Sequence, residues 1–171
     1  MEPNDAGLSK VGHEAVERMN DLGILVDASH CGRVTAADAI RRSSRPVAFT
    51  HTGCAALADH PRNRTDDELR AVSKTGGVSG IYVMPYLSGG KQPTAADVVR
   101  HIEHAVNAAG EDHVSIGTDG TLSTVALTPE FVQSFSANVA RRKAAGIAAP
   151  QESETGYLFA NDSDQRMGEY A

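Results

Sequence analysis

Four short apolar runs alternate with amphipathic helical stretches, and this alternation limits the fold more than any other feature of the chain. The runs are Ile24 to His30, Pro46 to His51, Val78 to Met84 and His113 to Asp119. Each is shorter than a stable helix and bounded by turn-forming residues, the pattern of a buried strand. Between them lie helical spacings. Leu8, Val11, Ala15, Met19 and Leu22 share one face, and Gly23 closes it. Thr35 with Asp38, Thr65 with Glu68, and Thr94 with Asp97 resemble capping boxes, in which hydroxyl and carboxylate satisfy the first free amides of a helix. The helix after Thr94 carries Val98, Ile102 and Val106 on one stripe and stops at Gly110. Thr128-Pro129 opens a last helix, through Phe131, Phe135 and Val139 to about Ala145, because proline at the first helical position sacrifices no hydrogen bond.

Strands separated by helices return the chain to the same end each time and pair in parallel. The expectation is an α/β fold of about four parallel strand–helix units. A closed eight-stranded barrel needs about 250 residues; this chain has 171 and opens on a helix with no strand before it. It therefore reads as the second half of a barrel. Residues 1–171 read as one partial barrel domain, with 146–171 an irregular tail holding a short helix near Arg166.

Three of the strand-like runs end in groups that can do chemistry: His30, His51 and Asp119. Barrel enzymes present ligands and catalytic groups at the C-terminal ends of their strands. Alternate residues of a strand share a face, so His30 goes with Ala28 and Val26, His51 with Phe49 and Val47, and Asp119 with Gly117 and Ser115. On that parity all three groups face a common interior, with small Ala28 and Gly117 leaving room beneath them. Two neutral imidazoles and a carboxylate suit Zn²⁺ or a similar divalent ion. Such an ion lowers the pKa of bound water to about 7 and polarises a carbonyl, and Asp119 would relay the proton. The plain alternative is that each histidine caps a strand or bonds nearby backbone.

The formal net charge of −6 argues against general nucleic-acid binding. No run of 18 apolar residues and no signal-peptide core occur, so no membrane contact is expected from this segment and the cytoplasm is the default compartment. Two cysteines make no disulfide framework.

Longer stretches carry a resemblance. Gly7 to Gly12 and Met19 to His30, then Thr50-His51-Thr52, Arg62-Asn63 and Gly117-Thr118-Asp119-Gly120, resemble the renal, or membrane, dipeptidase family. The histidines are 21 positions apart (51 − 30), and Arg62 follows His51 by 11 (62 − 51), both as in that family. The likeness runs from about Asp5 to Val125 and weakly over 157–171. It implies a zinc-dependent dipeptidase on a TIM-like barrel with a two-metal site. His30 and His51 would match two ligands of one metal, Arg62 the arginine that holds the free carboxylate of a dipeptide substrate, and Asp119 the aspartate that moves a proton. The family also has a His-x-Asp pair on its first strand and a glutamate bridging the metals. This chain has no His-x-Asp, and the nearest echo, His101-Ile102-Glu103, falls inside a helical stretch. The resemblance is thus to the C-terminal half alone. At most one partial metal site is expected, and the chain would need a complementary N-terminal half or would self-associate. Two other readings remain: an inactive metal-binding or assembly fragment, and an amidohydrolase acting on other amides or lactones.

Other residues carry weaker expectations. Cys31 and Cys54 flank the two histidines, but their spacing matches no zinc finger. His101 and His104, one turn apart, read as a solvated helix face. His13, His60 and His113 read as surface or loop residues, with His60 near enough to Arg62 to line a pocket. Arg62 by itself could pair with Asp59 or Asp66. Arg41-Arg42 and Arg141-Arg142-Lys143 sit at helix C-termini, where positive charge is favourable.

Overall fold

The structure, a computed structural model, describes residues 4–89, 93–119, 128–148 and 152. The elements alternate as expected: α1 (Lys10–Leu22), β1 (Val26–Asp27), α2 (Arg33–Arg42), β2 (Val47–Thr52), α3 (Asp66–Lys74), β3 (Ser79–Ile81), α4 (Ala95–Ala109), β4 (Val114–Ile116) and α5 (Pro129–Ala144). The four strands form one parallel sheet in the order β1-β2-β3-β4. With the strands in sequential order, successive helices pack on one another, α1 on α2, α2 on α3 and α3 on α4, along one face of the sheet, which is how a barrel wall is built. Among the described strands β1 and β4 are the two edges. The expected short helix near Arg166 lies outside the described residues, as does most of the 146–171 tail.

The helix ends follow the local chemistry with one exception. Thr65 with Glu68 and Thr94 with Asp97 form complete capping boxes. Gly23 closes α1 in the left-handed conformation at φ 70°, where glycine meets no Cβ penalty. The box expected at Thr35 and Asp38 does not form. Helix α2 begins three residues earlier, after Gly32, which has no side chain to cap with. Asp5 supplies the acceptor from 30 positions away: its carboxylate takes the amides of Val34 (2.5 Å) and Thr35 (2.9 Å) and the Thr35 hydroxyl (2.8 Å). Asp38 instead accepts from the Leu8 amide at 2.9 Å and pairs with Arg41. Both carboxylates thus tie the N-terminal segment to α2.

The core lies between sheet and helices in two patches. Val16, Ala36, Ala39 and Val72 from the helices pack on Val26, Ala28, Val47 and Phe49. Leu69 and Ala105 pack with Cys54, Ile81, Tyr82, Tyr86 and Leu87. Burial of such side chains is worth about 1.5–3 kcal/mol each for the larger ones.

Two histidines expected at the surface are inside. His60 is fully buried and stacks on Tyr86 with ring centroids 4.1 Å apart. His101 is 1% exposed rather than on a solvated face. Its Nδ1 accepts from the Cys54 amide (2.9 Å) and its Nε2 donates to the Leu87 carbonyl (3.0 Å). Cys54 in turn donates its thiol to the His101 carbonyl, and burial pushes that thiol up to about 12. His104 behaves differently: it is part-exposed and meets Asp66 at 2.8 Å, joining α4 to α3.

The two bonds of His101 require the neutral ring, and burial holds its pKa below the ordinary value against weaker opposing contributions from Leu87 and Asp97. A histidine with a lowered folded-state pKa stabilises fully above its unfolded value of about 6.5 and loses that contribution as pH falls below it. His101→Gln offers the same acceptor and donor without titrating. Its urea midpoint should fall less than that of the parent between about pH 7.5 and 5.5. Equal falls in the two proteins would contradict this role. His30, also held low, is common to both.

Candidate metal and substrate site

The C-terminal ends of β1 and β2 meet at a cluster built on Asp27. Its Oδ1 accepts from the Ser29 amide (3.0 Å), the Ser29 hydroxyl (2.5 Å) and the Thr50 amide (3.2 Å), and its Oδ2 from the Thr50 hydroxyl (2.6 Å). Burial pushes the Asp27 carboxyl up, but the hydrogen bonds from Ser29 and Thr50 outweigh it and hold the group below the usual carboxylate range. The carboxylate therefore gathers the turn that carries His30 and the strand end that carries His51.

These two histidines converge. Their ring centroids are 4.9 Å apart at an interplanar angle of 56°. His51 Nδ1 is 2.9 Å from the Thr50 hydroxyl. Its Nε2 is buried without a hydrogen-bond partner. It faces Asp119 Oδ1 across 3.8 Å, too long for a hydrogen bond. Asp119 sits in the left-handed region at φ 56°, the one non-glycine residue with positive φ among those described; aspartate tolerates that region better than most side chains.

The route to this convergence differs from simple alternation. Strand β1 ends at Asp27, so His30 stands in the turn beyond it. Val26, Ala28, Val47 and Phe49 face the helices, in the core cluster, and not an interior shared with the histidines. The β2–β3 pairing shifts register between Phe49 and Thr52, which breaks the period of two at His51. Ala28 and Gly117 do not leave room for an ion either. A Cβ on Gly117 would lie 1.8 Å from the Thr50 carbonyl oxygen, so glycine is needed there for backbone to approach backbone.

Arg62 is buried and joins the same cluster. Its Nη1 lies 2.8 Å from His30 Nδ1 and 3.2 Å from Nε2, rather than against Asp59 or Asp66. Burial, the Arg62 charge and His51 hold the His30 pKa below its ordinary value despite Asp119 and Asp27. A neutral imidazole is the form that binds metals. The backbone amide of Arg62 donates to His60 Nδ1 (3.1 Å). The amide of Asn63 donates to the carbonyls of Ala58 and Tyr86, and its oxygen accepts from Tyr82. His60 thus supports the arginine from beneath.

Sequence reasoning missed Arg64, which is 1% exposed. Its Nη2 donates to the carbonyls of Ala28 (2.8 Å), Ser29 (3.2 Å) and Cys31 (2.9 Å), its Nη1 to Glu68 (2.9 Å), and its plane lies 4.4 Å from the Phe49 ring centre. The Arg64 amide also donates to the Gly53 carbonyl. One side chain therefore holds the His30 turn against the loop that presents Arg62. No sequence signal separated Arg64 from an ordinary surface arginine.

A metal fits part of this arrangement. The orphaned, buried Nε2 of His51 is a donor of the kind zinc takes; His30, beside it, offers its lone pair to Arg62 here and would join a metal only in exchange for that contact. Among the described residues no group of three or more histidine, cysteine or acidic side chains is close enough to hold an ion, and Cys54, bonded to His101, stands apart from the pair. The described residues thus offer two candidate imidazole donors and no complete shell.

Known proteins share this sequence and fold over part of their length. A dipeptidase of Clonostachys rogersoniana, verJ, is 37% identical over 117 residues, which is 68% of this chain and 30% of that protein. An amidohydrolase from Pseudomonas aeruginosa superposes with a TM-score of 0.72 at 28% identity, over 96% of this chain and 52% of that one. A metallopeptidase from Rhodobacter sphaeroides, solved with a phosphinate mimic of the dipeptide L-Ala-D-Ala, superposes with a TM-score of 0.62 at 28% identity, over 85% of this chain and 43% of that one. The chain thus spans between about a third and a half of the length of these relatives. Residues 1–136 match the model of the membrane dipeptidase family, and the chain belongs to that family, peptidase family M19.

Proposed function

We propose that this chain supplies the metal- and carboxylate-binding half of a zinc-dependent dipeptidase. The observation that carries this reading is the meeting of His30 and His51, rings 4.9 Å apart, with the buried His51 Nε2 free of any hydrogen bond among the described residues. His30 and His51 would hold one metal. When bound, that ion makes water nucleophilic near neutral pH and polarises the peptide carbonyl. Arg62 binds the free carboxylate of the dipeptide, for which the planar guanidinium offers two parallel donors. Asp119 takes a proton from the attacking water and returns it to the departing amine.

Two imidazoles do not complete a zinc shell, and the described residues hold no further cluster of ligands, so on this reading the remaining ligands come from a complementary half of the barrel. Exposed apolar side chains at both sheet edges favour such a partner: Ile24 and Leu25 lead into β1, and Ile116 lies in β4. Without it the chain is a metal-binding fragment with no turnover. The likeness to an amidohydrolase keeps other amides and lactones as substrates to be compared.

The test mixes this chain with a polypeptide carrying the family's first four strands, and follows amino-acid release from dipeptides with and without zinc. Turnover is expected only in the mixture, only with zinc, and faster on dipeptides than on lactones. Arg62→Ala should raise KM for a free dipeptide but not for its C-terminal amide. Absence of zinc-dependent turnover in every pairing would overturn the reading.

A further inference from the structure

A ring nitrogen can offer its lone pair to a metal only if the proton sits on the other nitrogen. In His51 that choice is controlled from outside the ring. Thr50 Oγ1 lies 2.6 Å from Asp27 Oδ2 and 2.9 Å from His51 Nδ1. A carboxylate only accepts, so the single hydroxyl hydrogen of Thr50 points at Asp27. The Thr50 oxygen then presents a lone pair to His51, and Nδ1 must carry the hydrogen. Nε2 is left as the bare acceptor, and it is the atom that is buried, unpartnered and turned toward Asp119.

We propose that Asp27, acting through the Thr50 hydroxyl, sets the tautomer of His51 and so directs the Nε2 lone pair into the site. Asp27 and Thr50 are positioning residues. The proposal rests on His51 being a metal ligand, as read above, but its first consequence shows in the protein without metal.

The geometry makes one substitution decisive. At Asp27 Oδ1 two backbone amides, of Ser29 and Thr50, can only donate. In Asp27→Asn the amide oxygen must take that position, which leaves the NH₂ group facing Thr50. The Thr50 oxygen then accepts from Asn, its hydrogen turns to His51 Nδ1 at 2.9 Å in preference to the Ser29 hydroxyl at 3.3 Å, and the ring proton moves to Nε2. A change of one atom thereby reverses the chain of donors. Asp27→Asn keeps nearly the same volume, so packing alone gives no reason for the ring to switch.

The experiment records long-range proton–nitrogen spectra of the ¹⁵N-labelled chain at about pH 8, where histidine is neutral, and titrates zinc into the same samples. The parent should show His51 protonated at Nδ1, Asp27→Asn at Nε2, and Thr50→Ser as the parent. Zinc affinity should fall by about 10–100-fold in Asp27→Asn and stay within a few-fold in Thr50→Ser. Should Asp27→Asn not fold, Thr50→Val serves, and its His51 should lose the preference for Nδ1. A parent ring protonated at Nε2 or on both nitrogens overturns the proposal, as does a variant that keeps Nδ1 protonated. A switch of tautomer in a chain whose parent takes up no zinc upholds this inference and removes the metal reading instead.

Discussion

Arg64→Met will lower the stability of the chain by about 3–5 kcal/mol, the range for breaking a buried ion pair by removing one partner. The guanidinium is 1% exposed and satisfies four acceptors at once: three carbonyls of the turn after β1 and the Glu68 carboxylate. Methionine fills similar space but offers no donor. The carbonyls of Ala28 and Ser29 would lose that partner and Glu68 would face an apolar neighbour, and each group left unpaired costs about 1–3 kcal/mol. Glu68 also closes the capping box of α3 through Thr65, so the damage spreads to that helix. Arg64→Lys should recover only part of the loss, since an ammonium cannot reach carbonyls and carboxylate with the same planar fork. Urea midpoints of the two variants and the parent measure this. A loss under about 1 kcal/mol in Arg64→Met, the size of an exposed ion pair, would show that the turn holds itself.

The second large effect is on zinc. His30→Ala and His51→Ala should each remove zinc binding at this site, not halve it. On the proposed reading two imidazoles among the described residues share one ion, and a single imidazole holds zinc little better than any exposed histidine. The loss should exceed the 10–100-fold typical for residues that merely support a ligand. His104→Ala is the control: that ring lies part-exposed between α3 and α4 and bonds Asp66. It should leave zinc affinity unchanged.

Local chemistry made much of this fold legible. Capping boxes at Thr65 and Thr94, the Thr128-Pro129 start and the Gly23 stop are decided within a few residues, and all four appear as expected. The parallel pairing of the strands follows from the alternation itself. Misreadings cluster where a partner comes from far along the chain. The α2 cap is Asp5, 30 positions from Thr35. His101 is buried because the Cys54 amide, 47 positions away, needs an acceptor. Arg64 reaches carbonyls more than 30 positions upstream. None of these pairings has a short-range signature. The histidine site is a mixed case. His30, His51 and Arg62 come together as expected, yet the parity argument for it does not hold, because a turn after Asp27 and a register shift in β2 do the work assigned to regular alternation.

The central claim is that His30 and His51 act on one ion. Calorimetric titration of zinc into the 171-residue chain, the two alanine variants and His104→Ala tests it directly. One weak site per parent chain is expected, retained in His104→Ala and absent from both His30→Ala and His51→Ala. Zinc uptake that survives either histidine substitution, or no uptake by the parent, would contradict it.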